Sequence, residues 1–386
     1  MNILLITPYF PFPSDKSGGV HTINMILKNV KDGHIDIFYY GEDQIDEDSG
    51  KFIHTIRNIY FEDLRQKSFF CRIKSILCGK TYTLSMYKKN SHVLSEILKN
   101  EKYDKIIYDQ YSSMNFEKCD YEKEILFLHD SMPLLFERKK VLLKGIGRLY
   151  YFLQERYAIR EEKSFYDDFS KIVFVSSNDI QLEKKLHPQF RSKFELCNLG
   201  IDMTAVASSP KLNIDSYSLI FTGVMDYEPN EDAMLFFLSN VFPKVIEFYP
   251  TLKLYIVGKN PTNKLKELAS KYRNVIVTGR VENVFSYIKS CMVYISPLRV
   301  GSGKKNKIIE AMACKIPIIA SDISMEGFDD LEMKTVIHAN TTEEWITAIN
   351  SLLSDNQKME KLKEKMKNVI DDKYDWNVIA KKLLET

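Results

Sequence analysis

The sequence predicts an α/β protein with two Rossmann-like, doubly wound parallel-sheet domains facing a cleft. Three observations carry this. Short apolar runs alternate with stretches of helical periodicity, as strands buried on both faces and their crossover helices do. The alternation occurs twice, with a polar segment containing Pro210 between the two series. The length, 386 residues, is two to three domains at roughly one per ~150 residues.

The first series opens with Asn2–Thr7, an apolar run closed by Pro8. It has no basic flank and is interrupted by Pro8, Pro11 and Pro13, so it reads as a first strand and not as a secretory signal. Ile23, Ile26, Leu27 and Val30 recur at helical spacing. Asp36–Tyr40, Lys105–Tyr108, Ile125–Leu128 and Ile172–Val175 read as further strands, and Val141–Phe165 as one long basic helix. Met203–Ser216 is the linker. In the second series Leu219–Thr222, Lys253–Val257, Val275–Thr278, Val293–Ser296 and Ile316–Ala320 are strand-like. Ala233–Phe248, Asn263–Lys271 and Lys304–Cys314 are helical between them. The domains are then 1–202, joined by a terminal helix 374–386, and 203–373.

Composition excludes several classes. Hydrophobic residues make up 45% and charged residues 27%, which is globular. Lys+Arg (54) and Asp+Glu (52) nearly cancel, so no global field draws nucleic acid and any anion site is local. No run approaches the ~20 apolar residues of a membrane span. Six scattered cysteines form no CxxC pair or Cys/His cluster, which argues against zinc or a disulfide framework. A cytoplasmic enzyme is the expectation.

The most informative stretch is SPLRVGSGKKNKIIEAMACKIPIIASD, Ser296–Asp322. A strand ends, Gly301-Ser302-Gly303 turns, and a helix follows with Ile308, Ile309 and Met312 as its apolar positions. Glycines admit close backbone approach, and the free amides and dipole of a helix start favour an anion. Arg299, Lys304, Lys305 and Lys307 add charge. Cations there oppose the dipole by ~0.3–1 kcal/mol each, which suggests an anionic occupant. The bland alternative is a solvated lysine-rich helix start. Neither a Walker loop nor a dinucleotide fingerprint is present.

This stretch resembles the donor-site signature of GT-B glycosyltransferases, in the large family 4 of retaining enzymes. Further segments match in order: Asn198-Leu199-Gly200-Ile201-Asp202, Phe221–Phe237 (FTGVMDYEPNEDAMLFF), Leu254–Gly258 (LYIVG) and Val277–Val284 (VTGRVENV). The resemblance covers roughly half the chain. It implies a sugar transferred from a nucleotide-diphosphate donor to a hydroxyl of a glycan or lipid-linked acceptor, with retention, in bacterial surface polysaccharide or glycoconjugate synthesis. No cofactor or metal is implied, because no Asp-x-Asp motif stands in the Thr/Val context of metal-dependent transferases.

The resemblance also implies roles. Glu310 would accept from the ribose hydroxyls; the bland reading is a helix-surface acid. The family's earlier Glu is Ser302 here, which changes how the sugar would be held. Lys305 and Arg299, then Lys307, would meet the diphosphate, with amides of Gly301 and Gly303. Gly223 would let the donor pass. Gly279 and Arg280 fall where the family contacts the base, and Arg280 either stacks on it or is exposed. Gly18 and Gly19 would line the cleft near the transferring sugar, or form a plain tight loop. His129, closing a predicted strand, would touch the sugar or be structural; Asp109 is a lesser candidate. Rival functions are a nucleotide-sugar epimerase and a catalytically silent partner subunit.

Glu137–Lys163 holds eight Lys/Arg against four acids and is amphipathic. It reads as a core-packing helix with a solvated face, or as peripheral contact with anionic lipid at the inner face of the membrane. Tyr374–Leu384 resembles the family's returning terminal helix, anchored by Trp376.

Overall fold

The computed structural model describes residues 1–10, 26, 30, 33–41, 56–66, 68–197, 200–301 and 304–385. The chain divides into two compact units, Met1–Leu199 with Ala380–Thr386, and Gly200–Ile379.

The first unit is built on a seven-stranded, all-parallel sheet in the order β3-β2-β1-β4-β5-β6-β7. Its strands are β1 Ile3–Thr7, β2 Ile35–Tyr39, β3 Ile56–Phe61, β4 Lys105–Asp109, β5 Glu124–Leu128, β6 Lys171–Phe174 and β7 Phe194–Leu196. β1, β2 and β5 are buried at every residue, as strands covered on both faces must be. Helices used below are α1 Ser68–Leu77, α2 Met132–Leu142, α3 Gly145–Phe165 and α4 Ser177–Leu186.

The second unit holds a six-stranded parallel sheet, β10-β9-β8-β11-β12-β13. The strands are β8 Ser218–Thr222, β9 Lys253–Val257, β10 Val275–Gly279, β11 Val293–Ser296, β12 Ile318–Ala320 and β13 Ile337–His338. Helix α5 is Glu228–Phe236 and α6 is Asn306–Ala313. In α6, Ile308, Ile309 and Met312 are buried, so the helix is pinned by the positions its periodicity marks.

Strand order reverses at β1/β4 in one sheet and at β8/β11 in the other. Loops leaving the carboxyl ends of those strands diverge to opposite faces and open a crevice. Both switch points carry a polar bond between adjacent strands. Thr7 Oγ1 donates to Asp109 Oδ2 at 2.9 Å, and Thr222 Oγ1 pairs with the Tyr294 hydroxyl at 2.7 Å.

The helix expected over Val141–Phe165 is α3, Gly145–Phe165, and the first two residues of that span belong to the end of a separate helix, α2. α2 begins at Met132, capped by Ser131, whose hydroxyl accepts from Leu134 N. The break falls at Leu143-Lys144, and Gly145 takes φ +57°, a conformation glycine adopts without cost. The helix expected from Lys304 starts later, at Asn306, with Lys305 at its N-cap position. Ala233–Phe248 is part of a longer run, from Glu228 through a π-helical turn at Phe237–Val241 to Phe248.

Candidate functional site

In the second unit, three successive strands end on glycine at the carboxyl edge. Gly223 N donates to Val257 O at 3.0 Å, and Gly258 N to Gly279 O at 3.1 Å. The approach leaves no room for side chains. A Cβ on Gly258 would lie 1.7 Å from the Gly223 carbonyl oxygen, and one on Gly223 would lie 2.7 Å from Asn230 Nδ2.

Behind this edge stands Lys307, in the first turn of α6. Its ammonium donates to Asn230 Oδ1 and sits 4.2 Å from the centre of the Phe221 ring. Asn230 is buried, and its Nδ2 is fixed by Val224 O at 2.9 Å. Burial pushes the Lys307 ammonium down to about 7, with Glu310 opposing the shift and Lys305 reinforcing it. One turn on, the half-buried Glu310 is held above the usual carboxylate range by burial, partly offset by Lys307. Among the described residues no hydrogen bond occupies its carboxylate. Glu310 also bears on the buried Tyr294 hydroxyl, which burial raises well above its ordinary value.

The other basic residues of this segment are used differently. Arg299 makes a two-pronged ion pair with Asp232 of α5, Nε to Oδ2 at 2.9 Å, and lies 4.9 Å over the Phe236 ring. Lys304 is drawn into the protein. Its ammonium lies 3.6 Å from buried Glu332 and 4.7 and 4.8 Å over the Phe328 and Tyr374 rings. Arg299 and Lys304 are therefore each matched by a carboxylate, while Lys305 stands at the N-cap position of α6 and Lys307 in its first turn. Gly301 has φ +137° and Gly279 φ +70°, both suited to glycine, and Arg280 is exposed. Ser302 and Gly303, and Gly18 and Gly19 of the first unit, lie outside the described residues.

In the first unit, a second polar group sits at the carboxyl edge. Asp109, at the end of β4, receives Thr7 Oγ1 at one oxygen and pairs with His129 Nε2 at 3.1 Å through the other. Asp109 is buried and His129 nearly so. With Nε2–H directed at the carboxylate, a neutral His129 offers Nδ1 as its acceptor. Thr7 was not singled out in the sequence, although it ends the first strand; nor were Asn230 and Gly258, which lie within quoted motifs without an assigned role. The signal that finds them is position, one residue either side of a parallel strand's carboxyl end or at the start of the following helix.

One cluster among the described residues has metal-like spacing: Glu162, Glu183 and His187, all buried. It is largely closed by its own hydrogen bonds. His187 Nε2 meets Glu162 Oε2 at 3.0 Å, and the Ser131 and Tyr166 hydroxyls donate to Glu183. Burial raises the Glu162 and Glu183 carboxyls and lowers His187 to about 4, so each group is shifted towards its uncharged form.

The second unit thus gathers Lys305, Lys307 and Glu310 at the start of α6, beside the glycine-bordered carboxyl edge of its sheet. Comparison with known proteins agrees in kind. Residues 216–355 match the family Glycosyl transferases group 1. The chain is 23% identical over 364 residues to an uncharacterized 44.6 kDa protein in the cps region of Klebsiella pneumoniae, covering 88% of this chain and 87% of that one. It is 25% identical over 198 residues to the phosphatidyl-myo-inositol mannosyltransferase of Mycobacterium tuberculosis, covering 48% of this chain and about half (51%) of that enzyme. In fold it is similar to Anabaena HepE, solved in complex with UDP, with a TM-score of 0.65 at 13% identity over 100% of this chain and 99% of that one. The two parallel sheets are those of the GT-B fold.

Proposed function

We propose that the chain, whose residues 216–355 match the glycosyl transferases group 1 and whose two sheets are those of the GT-B fold, is a glycosyltransferase that moves a sugar from a nucleoside-diphosphate donor to a hydroxyl of a glycan or lipid-linked acceptor. The relative from a cps region supports surface polysaccharide synthesis as the setting. Retention of anomeric configuration is part of the proposal.

The observation that carries the donor assignment is the Lys307–Glu310 pair at the switch point of the second sheet. Departure of a nucleoside diphosphate places negative charge on its phosphates. Lys307, Lys305 and the amides about Gly301 stabilise that charge, with no metal assigned a part. Arg299 joins them where it exchanges Asp232 for phosphate. A missing donor to such a charge costs about 2.7–4 kcal/mol of barrier. Glu310 accepts from the vicinal ribose hydroxyls with its two oxygens, Gly223 passes the donor backbone-close, and Gly279 and Arg280 border the base. Within the first unit, His129 is the group proposed to meet a sugar, and Asp109, itself bonded by Thr7, holds the His129 ring in place.

The test is thermal shift with a panel of nucleoside diphosphates and their sugars, followed by nucleoside-diphosphate release on turnover. Binding stabilises by RT ln(1 + [L]/Kd). Glu310→Ala is expected to weaken the preferred nucleotide at least about tenfold, by loss of charged hydrogen bonds each worth roughly 1.5–3 kcal/mol. Equal affinity in that variant would remove Glu310 from the site. Conversion of donor to an epimer without acceptor would replace transfer by epimerisation.

A pH dependence follows from Lys307. Its ammonium titrates at about 7 in the free protein, and a bound diphosphate raises that value. Binding above pH 7 therefore takes up a proton, and affinity falls as pH rises from 7, by up to about tenfold per unit. Calorimetry in buffers of different ionisation enthalpy reads this uptake directly. Proton uptake near zero at pH 8 contradicts contact between Lys307 and phosphate.

A further inference from the structure

The first unit carries an apolar surface that its own core does not use. At the α2–α3 turn Val141 is 75% exposed, Ile146 87% and Leu149 58%, with Leu143 and Phe152 also exposed. From Arg138 to Gln154 the chain has five Lys/Arg (Arg138, Lys139, Lys140, Lys144, Arg148) and no Asp or Glu. Glu155 engages Lys140, while Lys139, Lys144 and Arg148 stand exposed around the apolar tip. A neighbouring helix extends the surface. α1 is tied to α3 where Gln154 Nε2 donates to Ser75 Oγ at 3.4 Å, and where Arg160 bonds Gly79 O just beyond its end. Its free face exposes Ile73, Ile76 and, at 81%, Leu77, again with basic neighbours, Arg72 and Lys74, and no acid between Ser68 and Lys80.

We propose that the α2–α3 turn together with α1 docks this protein on an anionic lipid surface, with Ile146 and Leu149 entering the acyl boundary and Lys144 and Arg148 at the headgroups. Scattered apolar side chains on a soluble surface are ordinary; a group at one turn, ringed by cations and free of acids, marks an interaction site. Charge selects the occupant. A second copy of the same face would set the exposed Lys139, Lys144 and Arg148 against their own counterparts, whereas an anionic leaflet complements them. No described helix is long and apolar enough to cross a membrane, so the contact lies on the bilayer. Such docking would bring the protein to the leaflet that holds a lipid-linked acceptor, but it does not depend on the transfer reaction.

The full chain, without donor or acceptor, is sedimented with vesicles of phosphatidylcholine alone and of phosphatidylcholine with about 30% phosphatidylglycerol. Binding is expected only with the anionic vesicles, and is lost at about 1 M salt, where the screening length is ~3 Å. Lys144→Gln with Arg148→Gln should weaken it about thirtyfold, two charges at roughly fivefold each. Ile146→Asp with Leu149→Asp should weaken it at least about tenfold. Both variants should keep the wild-type melting temperature and nucleotide shift, which shows that they fold. Equal binding by wild type and the aspartate variant overturns the proposal. So does a concentration-dependent dimer abolished by that variant, without vesicle binding, which would make the face a self-interface.

Discussion

Lys307→Met is expected to stabilise the ligand-free protein while cutting turnover by about 100-fold or more. The two effects share one cause. The ammonium is desolvated behind Gly223 and titrates at about 7, against ~10.4 in an unfolded chain. The folded state therefore holds this proton less firmly than the unfolded state. A depressed lysine contributes least at and below pH 7, where both states are charged, and the deficit is recovered as pH rises from 7 towards the unfolded value. Methionine fills similar volume and needs no counter-charge. Its gain, about 1–2 kcal/mol after the unpaired Asn230 Oδ1 is counted, is largest at pH 6–7 and fades near pH 10. Urea melts across that range measure it. On the proposed function, the same substitution removes a cation that would face the leaving diphosphate, about 2.7–4 kcal/mol of barrier. A variant that is both less stable at pH 7 and fully active contradicts the assignment.

Gly258→Ala is expected to be the most damaging single substitution at the site. The added carbon would sit 1.7 Å from the Gly223 carbonyl oxygen, and φ is +149°. Backbone cannot swing aside as a side chain can. Relief requires β8 and β9 to part where Gly223 N meets Val257 O. A cost of roughly 3–5 kcal/mol follows, with a drop in melting temperature of about 10 °C or more. Gly279→Ala is the matched control. Its φ is +70° but open space surrounds the position, so only the left-handed penalty of about 1–2 kcal/mol applies. Melting temperatures of the two variants separate close packing from backbone strain, and similar values would show that the edge is looser than described.

Most strands legible in the sequence are central ones. β1, β2, β4, β5, β6, β8, β9, β11 and β12 are buried enough to read as apolar segments, and β10, a half-buried edge, is legible only because Val275-Ile276-Val277 is itself an apolar run. β3, β7 and β13 escaped, and all three are edges. β3 has its apolar run broken by adjacent Arg57 and Asn58, with Arg57 and Ile59 exposed at the sheet edge, and β7 and β13 are three and two residues long. The α2–α3 break escaped because mixed basic and apolar residues run on through it, and Gly145 and Gly147 are its only marks in the sequence. At the candidate site, residue types identified a concentration of positive charge but not its partners. Only the fold sets Asp232 against Arg299 and Glu332 against Lys304, residues distant in the chain. Likewise, nothing local to His129 announces Asp109 and Thr7; adjacent parallel strands deliver all three to one edge.

The division of the chain bears on how the protein is made. The first unit reclaims Ala380–Thr386 after the whole of Gly200–Ile379 has been synthesised. Ala380, Leu383 and Leu384 are buried. The first unit, begun earlier, therefore waits through synthesis of the whole second unit before Ala380, Leu383 and Leu384 cover its apolar surface. During that interval the nascent amino-terminal half is the segment most in need of a chaperone.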